Sequence, residues 1–331
     1  MSAPTVLFIG GSGIISSASV RLAVERGYDV TVLNRGSSTR PLPDEVRTLR
    51  ADVRDPGSVR DALGGRDFDA VVDWVAFTPA HVQQDVDLFT GRTGQYVFIS
   101  SASAYQTPPT RVPVLESTPL RNPFWGYSQD KIACEDLLTA AYRDAGFPAT
   151  VVRPSHTYDQ TSVPLDGGWT VVERMRAGKE VVVHGDGTSL WTITHTEDFA
   201  LGFVPLLANP RVVGDTFHIT SDEALTWDHI TETLARAARA AGVEATIVHV
   251  PSDAIAAVDP GWGAGLLGDK AHSMVFDNAK IRSVAPGFRP ERTFEQGARE
   301  IVAWHDADPA RRTVDERMDA LMDDLVERFR V

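Results

Sequence analysis

The sequence predicts an α/β fold, a doubly wound parallel sheet followed by a smaller C-terminal lobe. Three observations carry that prediction. Short apolar, β-leaning runs alternate with helical patterns through the first 160 residues. The first such run breaks at Gly10-Gly11-Ser12-Gly13 and passes at once into a helix. Beyond Pro154 the alternation loses its regularity, as expected where a second lobe is inserted among the last sheet strands.

Composition narrows the function classes. A chain of 331 residues with 43% hydrophobic content can bury a sizeable core. A net charge of -13 argues against general binding to nucleic acid or to an anionic membrane. One cysteine, Cys134, excludes a disulfide framework inside the chain, and no Cys/His spacing suggests a metal site. At helical spacing from Tyr127, Cys134 reads as a packed side chain. Met1-Ser2-Ala3-Pro4 carries no targeting pattern, and no run reaches the ~18 apolar residues of a membrane span, so a cytoplasmic protein with a small-molecule partner is expected.

The elements follow in order. Thr5 to Ile9 is a strand, and Ile14 to Arg26 a helix with Val20, Ala23 and Val24 at helical spacing and Gly27 closing it. Gly10 and Gly13 let the backbone approach a pyrophosphate, which the free N–H groups at Ile14 and Ile15 would receive. Val30 to Leu33 is the second strand and ends in Asn34-Arg35. An NAD site usually places an acid there for the ribose hydroxyls. Here Asn34 is neutral, and Arg35, helped by Arg40, suits a 2′-phosphate. The cofactor is therefore NAD(P), with NADP favoured over NAD; the alternative has Asn34 bonding the ribose of NAD. Leu49 to Val53 reads as a third strand, with Asp52 able to accept from an adenine amino group, and Asp55-Pro56 opens a helix through Ala62. Phe68 to Val75 and Gln95 to Ile99 are the fourth and fifth strands, with a helix over Pro79 to Phe89 between them. In such a sheet ligands lie at the strand C-terminal ends, which puts Ala76, Phe77, Ser100 and Ser101 on the ligand edge.

The chemistry concentrates between Ser100 and Lys131. Tyr127 and Lys131 stand four apart in a helical pattern and share a face. A phenol with a pKa of ~10 is a poor base at neutral pH, and a neighbouring ammonium would lower it. Ser101, ending the preceding strand, would hold the reacting oxygen while Tyr127 moves its proton.

These residues resemble the extended short-chain dehydrogenase/reductases, the NAD-dependent epimerase/dehydratase family, over nearly the whole chain. Gly10-x-x-Gly13-x-x-Ser16 is similar to the family's glycine loop, with Ser16 in place of its last glycine. Asp52-Val53 is similar to its adenine-contacting pair, Ser100-Ser101-Ala102-Ser103-Ala104-Tyr105 to its serine segment, and Tyr127-x-x-x-Lys131 to its catalytic pair. The resemblance implies a Rossmann-type domain over 1–160, completed by parts of 190–250, and a substrate-binding lobe mainly over 161–331. It implies Ser101, Tyr127 and Lys131 as catalytic residues, with Ser100 or Ser103 as substitutes for Ser101. Lys131 would bind the nicotinamide ribose and depress Tyr127, and Pro154 would run beside the nicotinamide.

The second lobe offers the substrate contacts. Ser155 to Trp169 reads as a loop over the site, Val171 to Ala177 as a helix and Glu180 to Val183 as a strand. Nucleotide-sugar members of the family carry a diphosphate-clamping arginine where this chain has Trp191; Arg174, Arg176, Lys179 or Arg282 would have to replace it. Phe77, Ser103, Trp125, His156 and Trp191 are the substrate-facing candidates, whereas His195 reads as a structural hydrogen-bonding residue. Asp198 to Leu207 and Thr226 to Ala241 read as helices, Thr216 to Ile219 and Ala245 to Val250 as strands, Ser252 to Val258 as a short helix and Pro260 to Lys270 as a glycine-rich loop. The helix expected over 313–330 has an apolar stripe of Val314, Met318, Leu321, Leu325 and Phe329, to be covered by its own chain or by a second subunit in a homodimer. Two functions compete. One is net oxidation or reduction of a secondary alcohol or ketone on a polar, sugar-like molecule; the other is a sugar epimerase that oxidises transiently with tightly bound NAD. A non-catalytic dinucleotide-binding regulator would have no need of Ser101, Tyr127 and Lys131 together.

Overall fold

Along β1 (Thr5–Ile9), Val6 and Phe8 enter the core on one side of the sheet, while Leu7 and Ile9 enter the core on the other. Burial on both faces is why these strands read as continuous apolar runs. The computed structural model describes residues 2–38, 40–238 and 245–330. Its sheet continues with β2 (Asp29–Asn34), β3 (Arg47–Arg50), β4 (Ala70–Asp73), β5 (Tyr96–Ile99) and β6 (Ala149–Pro154). Helices α1 (Ile14–Glu25), α2 (Pro56–Leu63), α3 (Pro79–Phe89) and α4 (Gly126–Ala145) connect them. With Thr216–Ile219 beside β6, the seven parallel strands run in the order Thr216–Ile219, β6, β5, β4, β1, β2, β3. The chain thus reverses its direction of travel across the sheet at β1, with β2 on one side and β4 on the other, and that crevice is where such sheets bind ligands.

One core packs α1 and the helix Thr196–Phe203 onto the sheet through Val20, Ala23, Phe199 and Phe203. The opposite face receives Val59 and Leu63 of α2, Val82 and Phe89 of α3, and Cys134 and Leu138 of α4. A further core, around Trp169, Trp191, Trp227, Leu234, Phe294 and Ile301, gathers residues from the C-terminal half of the chain. The C-terminal helix Glu316–Phe329 buries Met318, Met322, Leu325 and Val326 against Val171, Met175, Val250 and Ile255 of its own chain.

Four readings are corrected. The third strand ends at Arg50, so Asp52 and Val53 lie in the loop beyond it. The stretch 155–169 holds a strand, His156–Tyr158, paired in parallel with Ile193–His195. The glycine-rich stretch Pro260 to Lys270 is helical, a short helix Pro260–Gly265 running into a π-helical turn Leu266–Lys270. There Asp259 caps the helix by accepting from the Trp262 N–H, with Pro260 in its first turn. The helix Phe294–Asp306, opened by a Thr293/Gln296 capping box, was not anticipated. Of the helix expected from Thr226 to Ala241, Trp227–Ala238 is helical, and 239–241 lie outside the described residues.

Candidate active site

The turn after β1 is built for close approach. Gly10 has φ +87°, and a Cβ there would stand 2.6 Å from Val75 Cγ1. Ser16, where a third glycine was expected, staples the turn: its hydroxyl accepts from the Gly13 N–H at 2.8 Å and donates to the Gly10 carbonyl at 3.0 Å. The loop is therefore held by a side chain where close helix packing would otherwise hold it. Helix geometry leaves the first N–H groups of α1, at Ile14 and Ile15, without intrahelical partners. The turn opens on a cleft of about 350 Å³ lined by Gly10, Gly13, Asn34, Arg35, Asp52, Val53 and Phe77. Its size and glycine floor fit a dinucleotide.

At the β2 end of the cleft, the Asn34 side chain accepts from the Gly36 N–H at 2.9 Å, closing a turn that presents Arg35, Ser37 and Ser38. Arg40, expected to assist Arg35, is instead paired with Asp159 and donates to Thr161 Oγ1 at 2.8 Å. Arg54, which sequence reasoning passed over, lines the cleft and donates to the Val75 carbonyl. Its position two residues after Asp52 was the available signal.

The catalytic candidates converge from three elements. Ser101 lies two residues beyond β5 and caps the 3-10 turn Ala102–Ala104 by accepting from the Ser103 N–H at 3.1 Å. Ser128 Oγ donates to Ser103 Oγ at 2.8 Å, and Ser103 Oγ lies 2.9 Å from Ser101 Oγ. The Ser101 hydroxyl lies close enough to the Tyr127 phenol to oppose the rise of its pKa. With Ser128 as first donor, the hydroxyl chain runs toward Tyr127. Ser103 is thereby buried behind Ser101, a correction to its expected substrate contact. Ser100 is no substitute either, because it donates to Glu135 at 2.5 Å.

Lys131 is 2% exposed, and its Nζ donates to the main-chain oxygens of Ala76 at 2.8 Å and Ile99 at 2.7 Å. The rings of Phe98 and Phe77 flank it at 4.7 and 4.9 Å. Burial lowers its pKa to about 8. The expected depression of Tyr127 is absent: burial raises the phenol, the Ser101 hydroxyl opposes that, and the Asp269 carboxylate adds to it. Lys131 reaches only the Tyr127 ring, 5.7 Å from its centroid. Its proton donors point at carbonyls.

Beneath the site, Arg153 binds Glu135 (Nε to Oε1 at 2.9 Å) and lies 4.7 Å from the Tyr105 ring, locking the serine segment to α4. Glu135 was missed, although it falls four residues after Lys131 on the same helical face.

Trp125 stacks obliquely on Tyr127 with centroids 4.9 Å apart. His156 lies just beyond Pro154, and burial lowers its pKa to about 4, so it is neutral at physiological pH. Trp191 is corrected: it is 1% exposed and packs on Trp227 in the lobe core. His195 caps the helix Thr196–Phe203 by accepting from the Glu197 N–H at 3.2 Å. Cys134 is buried, and burial pushes its thiol up to about 12. Among the described residues no group of His, Cys, Asp and Glu could hold a metal ion, and no helix is long and apolar enough to cross a membrane.

The candidate cations for a diphosphate are engaged elsewhere. Arg174 pairs with Asp319 and Asp323, Lys179 with the same two carboxylates, Arg176 with Asp306, and Arg282 with Asp222.

A family model described as the NAD dependent epimerase/dehydratase family matches residues 6–220. The 2′-dehydrokanamycin reductase of Streptomyces kanamyceticus is 29% identical over 311 residues, covering 90% of this chain and 84% of that protein. The dTDP-glucose 4,6-dehydratase of an Actinoplanes strain is 29% identical over 337 residues, covering 91% of this chain and 98% of that protein. Among solved structures, the epimerase Mth375 of Methanothermobacter thermautotrophicus superposes with a TM-score of 0.76 at 14% identity, covering 93% of this chain and 94% of that one.

Proposed function

The chain belongs to the NAD dependent epimerase/dehydratase family and is an NAD(P)-dependent enzyme of the extended short-chain dehydrogenase/reductase type, and from that premise we propose that it is a net NADP(H)-dependent oxidoreductase. Its substrate is the secondary alcohol or ketone of a polar, sugar-like molecule without a nucleoside diphosphate. The observation that carries this reading is the engagement of Arg174, Arg176, Lys179 and Arg282 in ion pairs away from the site, with Trp191 buried where a diphosphate clamp would stand. The similarity to a reductase of 2′-dehydrokanamycin over 90% of the chain supports it.

The residues present fit the dinucleotide. Gly10, Gly13 and the N–H groups of Ile14 and Ile15 would hold its pyrophosphate, Asp52 and Val53 its adenine, and Arg35 with Ser37 its 2′-phosphate. The bound cofactor supplies or accepts the hydride. In reduction, Tyr127 donates its phenolic proton to the carbonyl oxygen as that oxygen gains electron density, and Ser101 donates a hydrogen bond to the same atom. Ser103 and Ser128 keep the Ser101 hydroxyl oriented. Lys131 has three donors and commits two to carbonyls, leaving the third for a ribose hydroxyl. Its ammonium, about 6 Å from the Tyr127 ring, stabilises the phenolate left after proton transfer. Raised by burial, Tyr127 is held as the acid, which suits reduction more than oxidation. NADP(H) as the preferred cofactor and the cytoplasm as the place of action belong to this reading.

The experiment is to denature purified protein and identify any released dinucleotide by mass spectrometry. The emptied protein is then titrated with NADH and NADPH and assayed for NADPH oxidation with 2′-dehydrokanamycin. Tighter binding of NADPH with turnover supports the reading. Stoichiometric retained NAD(H) that is recycled without net consumption moves the assignment to an epimerase.

A further inference from the structure

The roof over Tyr127 contains a carboxylate that no other side chain engages. Asp269 sits in the π-helical turn Leu266–Lys270, a backbone form that is rare in regular helices and frequent at functional sites. The turn is fastened to the catalytic segment by one side chain. Buried Asn122 donates through Nδ2 to the carbonyl of Gly268 at 2.6 Å and to that of Ser103 at 2.9 Å, while its Oδ1 accepts from the N–H groups of Phe124 and Trp125 at the entrance to α4. A Cβ at Gly268 would stand 2.7 Å from Trp125 Cβ, so the turn lies directly against the residue that stacks on Tyr127. From the other side the Lys270 carbonyl accepts from His184, Ser189 and Trp227, all between 3.0 and 3.2 Å. Asp269 is therefore held in place by its neighbours' bonds while its own carboxylate has no hydrogen bond or ion pair among the described residues. Among the described residues the nearby cation is Lys270, whose Nζ lies 3.5 Å from Asp166. The imidazoles on this side, His156 and His184, are kept neutral by burial and compensate nothing.

A half-buried carboxylate without a partner is stabilised once a cation arrives. The geometry points to Asp269 as a specificity-determining residue that receives a protonated amine of the substrate, opposite the carbon whose oxygen Tyr127 serves; the substrate class is an amine-bearing sugar or cyclitol. This rests on the oxidoreductase reading above and deepens it. Lys270 and Asp166 form the wall beside the amine, and the acidic chain as a whole, at net charge -13, favours the approach of a cationic ligand.

The test compares two three-ring ligands, kanamycin, which carries amines, and maltotriose, which carries none. Each is titrated by calorimetry into the protein saturated with NADP. Wild type is expected to bind kanamycin at least 10-fold more tightly than maltotriose. Asp269→Asn is expected to weaken kanamycin by 10- to 100-fold, the range for a lost charge-assisted hydrogen bond, with maltotriose and NADP affinities unchanged. Asp269→Glu, which keeps the charge, should retain most of the preference. Equal binding of the two ligands, binding of neither, or a preference that survives Asp269→Asn overturns the proposal. Failure to bind dinucleotide at all would instead overturn the reading beneath it.

Discussion

Lys131 Nζ donates to the main-chain oxygen of Ala76 at 2.8 Å, tying the end of the β4 loop to α4. With the bond to Ile99 it also reaches β5, so one buried ammonium joins β4, β5 and α4 at the C-terminal edge of the sheet. Lys131 is thus a structural clasp as well as a catalytic candidate, and its charge is balanced by carbonyl dipoles, with no carboxylate paired to it among the described residues.

Replacing Lys131 by Met keeps the length of the chain and removes the donors. Two buried carbonyls would be left unpaired, at about 1–3 kcal/mol each. The expected outcome is a lower melting temperature, NADPH affinity reduced about 10-fold and turnover reduced 10²-fold or more. Stability, cofactor titration and steady-state rates check the three effects separately. Unchanged turnover in a folded variant would remove Lys131 from the mechanism.

Tyr127→Phe tests the proton donor without that structural penalty. Ser101 keeps its link to Ser103 when the phenol oxygen is removed, so stability should stay within about 0.5 kcal/mol. Turnover should fall by about 10²- to 10⁴-fold. In wild type, reduction requires the protonated phenol, whose pKa burial has raised. Phenol ionisation should therefore leave the reduction rate flat through neutral pH and lower it only above ~10, while oxidation should climb with pH. A pH profile in both directions measures this.

How much of this was legible in the sequence depends on whether a contact is local. The strand, glycine turn and helix at Thr5 to Glu25 and the i, i+4 pair Tyr127/Lys131 are local patterns, and the seven-strand sheet grew from them as expected. Arg40 looked free because its partner Asp159 lies 119 residues away. Trp191 looked like a pocket wall because an aromatic residue reads alike on a surface and in a core; its packing on Trp227 decides between them. The stretch 260–270 read as loop because its glycines mask the Asp259-Pro260 helix start. The direction of the Tyr127 shift was misjudged because spacing puts Lys131 on the same face but cannot show that two carbonyls hold its donors.

Arg35→Ala should separate the two cofactors. Arg35 lines the cleft and forms no ion pair among the described residues, so the change disturbs no internal partner. A lost charge-assisted bond to a 2′-phosphate is worth about 1.5–3 kcal/mol, which weakens NADPH by roughly 10- to 100-fold and leaves NADH unchanged. Equal losses for both cofactors would show that Arg35 does not read the 2′ position.

Asp269 gives a stability signature that needs no substrate. Its pKa is raised to about 7, first by burial and then by the Asp166 charge, with Lys270 opposing. The folded value lies above the unfolded one of ~3.9, so folding favours the protonated acid. That contribution is fully present below about pH 4 and is lost as pH rises through about 7. Asparagine has no proton to lose. Asp269→Asn should therefore melt higher than wild type at pH 8, with the difference shrinking toward pH 5, when both are measured without ligand. An amine bound at Asp269 favours the ionised form and should reverse the order at pH 8, making wild type the more stable protein in saturating kanamycin. Melting curves of both proteins at the two pH values, with and without kanamycin, check both signs. A gap that is the same at pH 5 and pH 8 would mean that Asp269 ionises normally and faces solvent.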